Sequence, residues 1–143
     1  MKRRTTTPAD RLERLVEAAR AARTRAYAPY SRYAVGAAIE CASGAVFAGC
    51  NVENASYGAS LCAERNAIAQ MIAAGESAPI ACAVVAGGTS PVSPCGICRQ
   101  VLFEFADDMP IALVAEGARS RTLRTRHDTT LAALLPLAFR LEK

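Results

Sequence analysis

Apolar residues recur along the chain in two periods. Leu12, Leu15, Val16 and Ala19 are spaced for one face of a helix. Thr7 as N-cap and Pro8 at the first helical position set its start, and it is expected to run to about Tyr27, with Pro29 as the break. Ala34 to Ile39 and Val46 to Val52 are short apolar runs flanking Ser43-Gly44, which reads as two antiparallel strands joined by a hairpin. From Cys62 to Ala74 the chain is rich in helix formers, with Ile68, Met71 and Ile72 on or near one face and Gly75 at a C-cap position. Ile80 to Ala86 reads as a third strand ended by Gly87-Gly88. After Pro94, CGICRQVLFEFA reads as a helix with Val101, Leu102 and Phe105 turned inward. Pro110 to Ala115 reads as a fourth strand and Arg121 to Thr125 as a weaker fifth. Thr129 to Leu135 reads as a short helix stopped by Pro136.

A hairpin followed by alternating strands and helices predicts an α/β protein, with a mixed five-stranded sheet between helices in a three-layer α-β-α arrangement. The length of 143 residues suits one domain over residues 1–143, with residues 1–7 as a flexible basic tail. A hydrophobic share of 52% excludes a disordered chain, and an aromatic share of only 6% means that the core is built largely from small side chains. The net charge of +4 gathers in Lys2-Arg3-Arg4 and in 119–126, both read as solvated rather than as a nucleic-acid surface. No run approaches the roughly 18 apolar residues of a membrane span. The basic start lacks the apolar stretch of an export signal, so the expected compartment is the cytoplasm.

In that compartment six cysteines should be reduced, which directs attention to metal ligation or catalysis. Cys41, Cys50 and Cys82 stand alone in apolar or turn surroundings and read as small hydrophobes. Cys95 and Cys98 form a CxxC at a helix start, and Cys62 starts another helix. Three thiolates at two helix N-termini, where partial positive charge favours them, suit Zn²⁺ with one coordination position left for water. Glu64, two residues past Cys62, can then face that position as a proton shuttle. Three thiolates overcompensate the ion, so Arg65 and Arg99 are the adjacent candidates to offset the surplus.

The pattern CAE followed by PCxxC is the three-cysteine form of the zinc nucleobase-deaminase signature. With PYSRYAVGAA, GCNVENASYG, LCAERNAIA, SPCGICRQVLFEF and LLPLAF, the chain resembles the small cytidine deaminases of nucleoside salvage from about Tyr27 to Phe139. The resemblance implies that Cys62, Cys95 and Cys98 hold zinc and that Glu64 is catalytic. It implies that Asn51 and Glu53 bind the sugar 3′-hydroxyl, and that Ala63 belongs to the substrate-binding set. Arg65 matches an arginine that hydrogen-bonds the zinc thiolates. Tyr33 stands where many relatives place a Phe near the base. Phe139 matches an aromatic that reaches a neighbouring subunit's site, and Tyr57 lies in the matched region. The implied protein is a cytidine and 2′-deoxycytidine deaminase acting in pyrimidine salvage, a homotetramer with shared active sites that needs no nucleic acid or membrane partner.

Other readings of the same residues exist. A structural zinc site needs a fourth ligand, and the only histidine, His127, is expected in a polar turn. A polynucleotide-editing deaminase fits poorly, because Glu53 would repel a phosphodiester where it receives the 3′-hydroxyl. A blasticidin-type deaminase shares CAE and PCGxCRQ but not the NVEN segment, and is the nearer alternative.

Overall fold

The structure, a computed structural model, describes residues 7–117 and 124–142. Its elements follow in the order α1 (Pro8–Arg23), β1 (Val35–Cys41), β2 (Val46–Cys50), a short 3-10 turn (Tyr57–Ala59), α2 (Ala63–Ala73), β3 (Pro79–Gly87), α3 (Gly96–Phe103), β4 (Pro110–Glu116), β5 (Arg124–Thr130) and α4 (Leu131–Leu134). The strands form one sheet in the order β2-β1-β3-β4-β5. β1 is antiparallel to β2 and β3, β3 and β4 are parallel, and β5 returns antiparallel to β4. A parallel pair needs a crossover, and α3 supplies it between β3 and β4.

Alternation along the strands sorts the core into two layers. Ala37, Ile39, Cys82, Val84, Ile111 and Leu113 point to the face covered by Ala67, Ile68 and Met71 of α2, Leu102 of α3 and Leu131 of α4. Ala38, Ala81, Ala83, Val85, Ala112 and Val114 point to the other, covered by Leu12, Leu15, Val16 and Ala19 of α1. Both faces are therefore buried, which is why these strands read as nearly continuous apolar runs. The alanine-rich face lets α1 lie close. At Gly36 the approach is so tight that a Cβ would sit 1.9 Å from the Ala19 carbonyl oxygen.

Polar contacts fix the edges of α1. Thr7 and Asp10 form a reciprocal capping box. Arg11 and Arg14 each approach the buried Glu40 carboxylate at 3.4 Å. Arg124 and Arg126 both pair with Glu13 at 2.9 Å and tie β5 to α1, so this part of the basic stretch is engaged rather than solvated as its composition suggested.

Four boundaries differ from expectation. α1 stops at Arg23 instead of near Tyr27, because Tyr27 pairs its backbone with Asn51 and Glu53. The helix after Pro94 ends at Phe103. The last strand covers Arg124–Thr130, later than expected, so His127 lies in a strand opposite Leu113 and not in a turn. Because that strand runs to Thr130, the last helix is only Leu131–Leu134. Residues 1–6 of the expected tail and 121–123 of the expected fifth strand lie outside the described residues. No helix among those described is long and apolar enough to cross a membrane.

Candidate functional site

Two helix starts meet on the face of the sheet that α2 and α3 cover. Cys62 is the N-cap of α2 and Cys95 the N-cap of α3, and both have the extended backbone that such a position requires. Neither side chain hydrogen-bonds its own helix. Their sulfurs instead approach each other at 3.9 Å, and the Cys98 sulfur, one turn into α3, completes a group whose Sγ atoms all lie within 4.8 Å of one another. Among the described residues no fourth Cys, His or carboxylate joins this group. Soft ligands in a set of three suit zinc with a coordination position to spare.

Glu64 and Arg65 set the electrostatics of this cluster. Glu64 is only 5% exposed, and its Oε2 lies 3.5 Å from the Cys98 sulfur. Burial is the first cause that lifts its carboxyl above the ordinary value, with the nearby Cys62 charge adding to it. Cys62 is lowered to about 5, first by the neighbouring Cys98 thiol and then, against burial, by Arg65 and Cys95. Cys98 is raised as the donor to that thiolate. Arg65 donates from Nη2 to the Ser60 carbonyl at 2.9 Å, and its Nε is buried without an oxygen or nitrogen partner. Burial opposes its charge, but Cys62 and Cys98 outweigh that and raise its pKa. A half-buried cation facing sulfur supplies the charge balance that a thiolate-rich zinc site requires. Arg99, the other cation considered for this role, spends its guanidinium on Pro94, Ser93 and Leu134.

A cleft of about 300 Å³ opens over the cluster, lined by Cys62, Ala63, Glu64 and Cys95 on one side and by Tyr33, Asn51 and Glu53 on the other. Asn51 follows β2 and pins the opposite wall. Its Oδ1 accepts from Val35 N–H and its Nδ2 donates to the Tyr33 carbonyl, both at 2.8 Å. Glu53 accepts from the backbone N–H groups of Tyr30 (2.8 Å) and Ser31 (3.2 Å) and from the Ser31 hydroxyl. That hydroxyl bond is the first cause holding the Glu53 carboxyl below its ordinary value. Ser31, Val35, Val84, Val92 and Ser93 complete the lining and were not anticipated as site residues. The signal that could have found three of them is their place inside matched segments, Ser31 and Val35 in PYSRYAVGAA and Ser93 in SPCGICRQVLFEF.

Phe139 is not among the residues lining the cleft; it is 68% exposed, in the extended segment after α4. Tyr57, 83% exposed, lines an adjoining hollow of about 390 Å³ that shares Ser31 and Glu53 with the cleft. A larger groove of about 820 Å³ between α1, β2 and α2 contains Ala22, Gly49 and Gln70 and none of the cysteine cluster. Chemistry, not size, therefore marks the site.

A three-layer sandwich that holds a metal-ligand triad and a buried carboxylate at the foot of a small cleft defines a zinc-dependent hydrolytic enzyme. Residues 9–113 match the cytidine and deoxycytidylate deaminase zinc-binding region, and the chain belongs to that family. It is 42% identical over 129 residues to the cytidine deaminase of Sporosarcina psychrophila, an alignment covering 90% of each chain. Its fold is similar to the crystal structure of cytidine deaminase from Burkholderia pseudomallei, with a TM-score of 0.79 and 45% identity over 89% of this chain and 98% of that one. It is also similar to the cytidine deaminase structure from Mycobacterium tuberculosis, with a TM-score of 0.71 and 40% identity over 90% and 97% of the two chains. The expected fold agrees with these structures, and the expected metal with the zinc-binding region that the chain matches.

Proposed function

We propose that this enzyme hydrolyses cytidine and 2′-deoxycytidine to uridine and 2′-deoxyuridine, releasing ammonia. The observation that carries the reading is the buried Glu64 carboxylate beside Cys98, in a cleft that also contains Cys62 and Cys95. Cys62, Cys95 and Cys98 hold the zinc ion, which supplies Lewis-acid activation of water at neutral pH. Glu64 accepts a proton from the attacking water and delivers it to the ring nitrogen next to the reacting carbon; it then takes the proton of the hydroxyl newly added to that carbon and passes it to the amine, which leaves as ammonia while the carbonyl forms. Its burial suits this task, since a carboxyl lifted from its ordinary range takes and returns protons nearer neutrality. Arg65 keeps the thiolate cluster electrically tolerable.

Glu53 accepts a sugar hydroxyl. Its three donors leave about one of the roughly four lone-pair sites of a carboxylate unused, and as an anion it repels a phosphodiester, so a nucleoside is favoured over a strand. Asn51 has one N–H and one lone pair left after bonding Tyr33 and Val35, enough to share that hydroxyl. Ala63 and Tyr33 form walls for the base. The exposed aromatic ring of Phe139, away from its own cleft, supports a homotetramer in which that ring completes a neighbour's site. The setting is nucleoside salvage in the cytoplasm, in a single domain.

Incubation with cytidine, followed by the ultraviolet change to uridine, tests the reading. Wild-type protein should turn over cytidine, whereas Glu64→Gln should retain zinc and lose about 10²- to 10⁴-fold in rate. A Glu64→Gln enzyme of near wild-type activity would remove the proton shuttle. Deamination of blasticidin S or single-stranded DNA with cytidine untouched would replace the substrate.

A further inference from the structure

The three sulfurs of the cluster are not equally supported. Cys98 is buried inside the first turn of α3, and Cys62 is partly enclosed at the start of α2. Cys95 is exposed and ends an irregular segment, residues 88–95, that lies outside the strands and helices and meets the sheet backbone at its first residue, where Gly88 N–H donates to the Glu116 carbonyl at 3.2 Å. Its two prolines, Pro91 and Pro94, offer no N–H with which to anchor it. Its far end is tied by Thr125, whose Oγ1 donates to the Thr89 carbonyl at 2.9 Å. Its near end is tied by Arg99. Nε of Arg99 donates to the Pro94 carbonyl at 2.7 Å, Nη2 to Ser93 Oγ at 2.6 Å, and Nη1 to the Leu134 carbonyl at 2.7 Å. One planar fork thus grips the two residues leading into Cys95 and fastens them to the end of α4. The next side chain, Gln100, donates to the Phe139 carbonyl at 2.9 Å, so α3 holds the C-terminal segment at two successive positions.

We infer that Arg99 is a positioning residue for the metal site: it fixes the loop that presents the Cys95 sulfur and, through Leu134, makes the C-terminal segment part of the frame that retains zinc. The inference rests on the reading of Cys62, Cys95 and Cys98 as the zinc ligands. A lysine cannot replace it, because a single ammonium cannot serve three acceptors lying in the directions of a guanidinium fork.

The test is zinc release. Fully loaded wild type, Arg99→Lys and Ser93→Ala are mixed with excess chromogenic chelator, and the appearance of the metal complex is timed while circular dichroism monitors the fold. Arg99→Lys should release zinc at least about 10-fold faster, the loss expected when a partner that orients a ligand is removed. Ser93→Ala, which deletes one of the three acceptors, should shift the rate in the same direction by less. A folded Arg99→Lys that releases zinc at the wild-type rate overturns the inference. Should Arg99→Lys fail to fold, Ser93→Ala decides, and a wild-type rate there overturns it. Wild-type protein that holds no zinc would defeat the three-cysteine reading beneath it.

Discussion

Glu53, proposed to take a sugar hydroxyl, is first of all part of the cleft wall. Its carboxylate is fixed by the turn at Tyr30 and Ser31, so it meets a substrate already oriented. A hydrogen bond to a charged group contributes about 1.5–3 kcal/mol, so Glu53→Ala should lower kcat/KM for cytidine by about 10- to 100-fold. Steady-state kinetics checks this, and a variant as active as the wild type would take Glu53 out of the site. CxxC and CxE were legible in the sequence because each spans less than one helical turn, whereas the meeting of Cys62 with Cys95, 33 residues away, depends on how the sheet brings two helix starts together. Ser31 was not legible, because it earns its place by bonding Glu53, 22 residues away. Sequence neighbourhood offered both Arg65 and Arg99 as charge partners and the resemblance favoured Arg65; the contacts show that Arg65 faces sulfur and that Arg99 braces a loop.

At the scale of elements, the placement of α2 depends on how closely it lies on β2. A Cβ at Gly49 would stand 2.6 Å from the Ala67 nitrogen and 2.7 Å from the Ala63 carbonyl oxygen, both backbone atoms that no rotamer change can move. Gly49→Ala should therefore cost about 1–3 kcal/mol of stability and, by pushing the first turn of α2, speed zinc loss. Thermal melting and chelator competition read the two effects. α1 offers a pH test. Its Glu13 carboxyl is held below the ordinary 4.5, first by Arg124. Because the folded state binds that proton more weakly than the unfolded chain, the stabilisation is complete above 4.5 and is lost as acid takes the pH down through the folded value. Wild type should melt above Glu13→Gln at neutral pH, and the gap should close as the pH falls below 4.5; a gap that persists in acid would show that Glu13 acts by other means. Periodicity revealed the first four strands and three long helices, since each buries an apolar face. It misplaced β5, whose sequence RTRHDTT has no apolar pattern and is held by backbone pairing to β4 and by Arg124 and Arg126.

For the whole molecule, the proposed sharing of sites between subunits has a direct test. Subunits carrying Glu64→Gln and subunits carrying Phe139→Ala, each inactive alone, should regain activity when dissociated and reassembled together, because some clefts then combine an intact Glu64 with a neighbour's intact Phe139. Absence of any recovery in verified mixed assemblies would confine each site to one chain. A last consequence follows from the placement of Cys62 and Cys95 at helix N-caps that no side chain closes. An ordinary Ser or Asp there would contribute about 1 kcal/mol to each helix start. With zinc held by Cys62, Cys95 and Cys98, thiolates would stand at both starts, and metal binding and local order would become one equilibrium. Zinc-free protein should then open at two places at once and be cut there faster than loaded protein, which limited proteolysis checks.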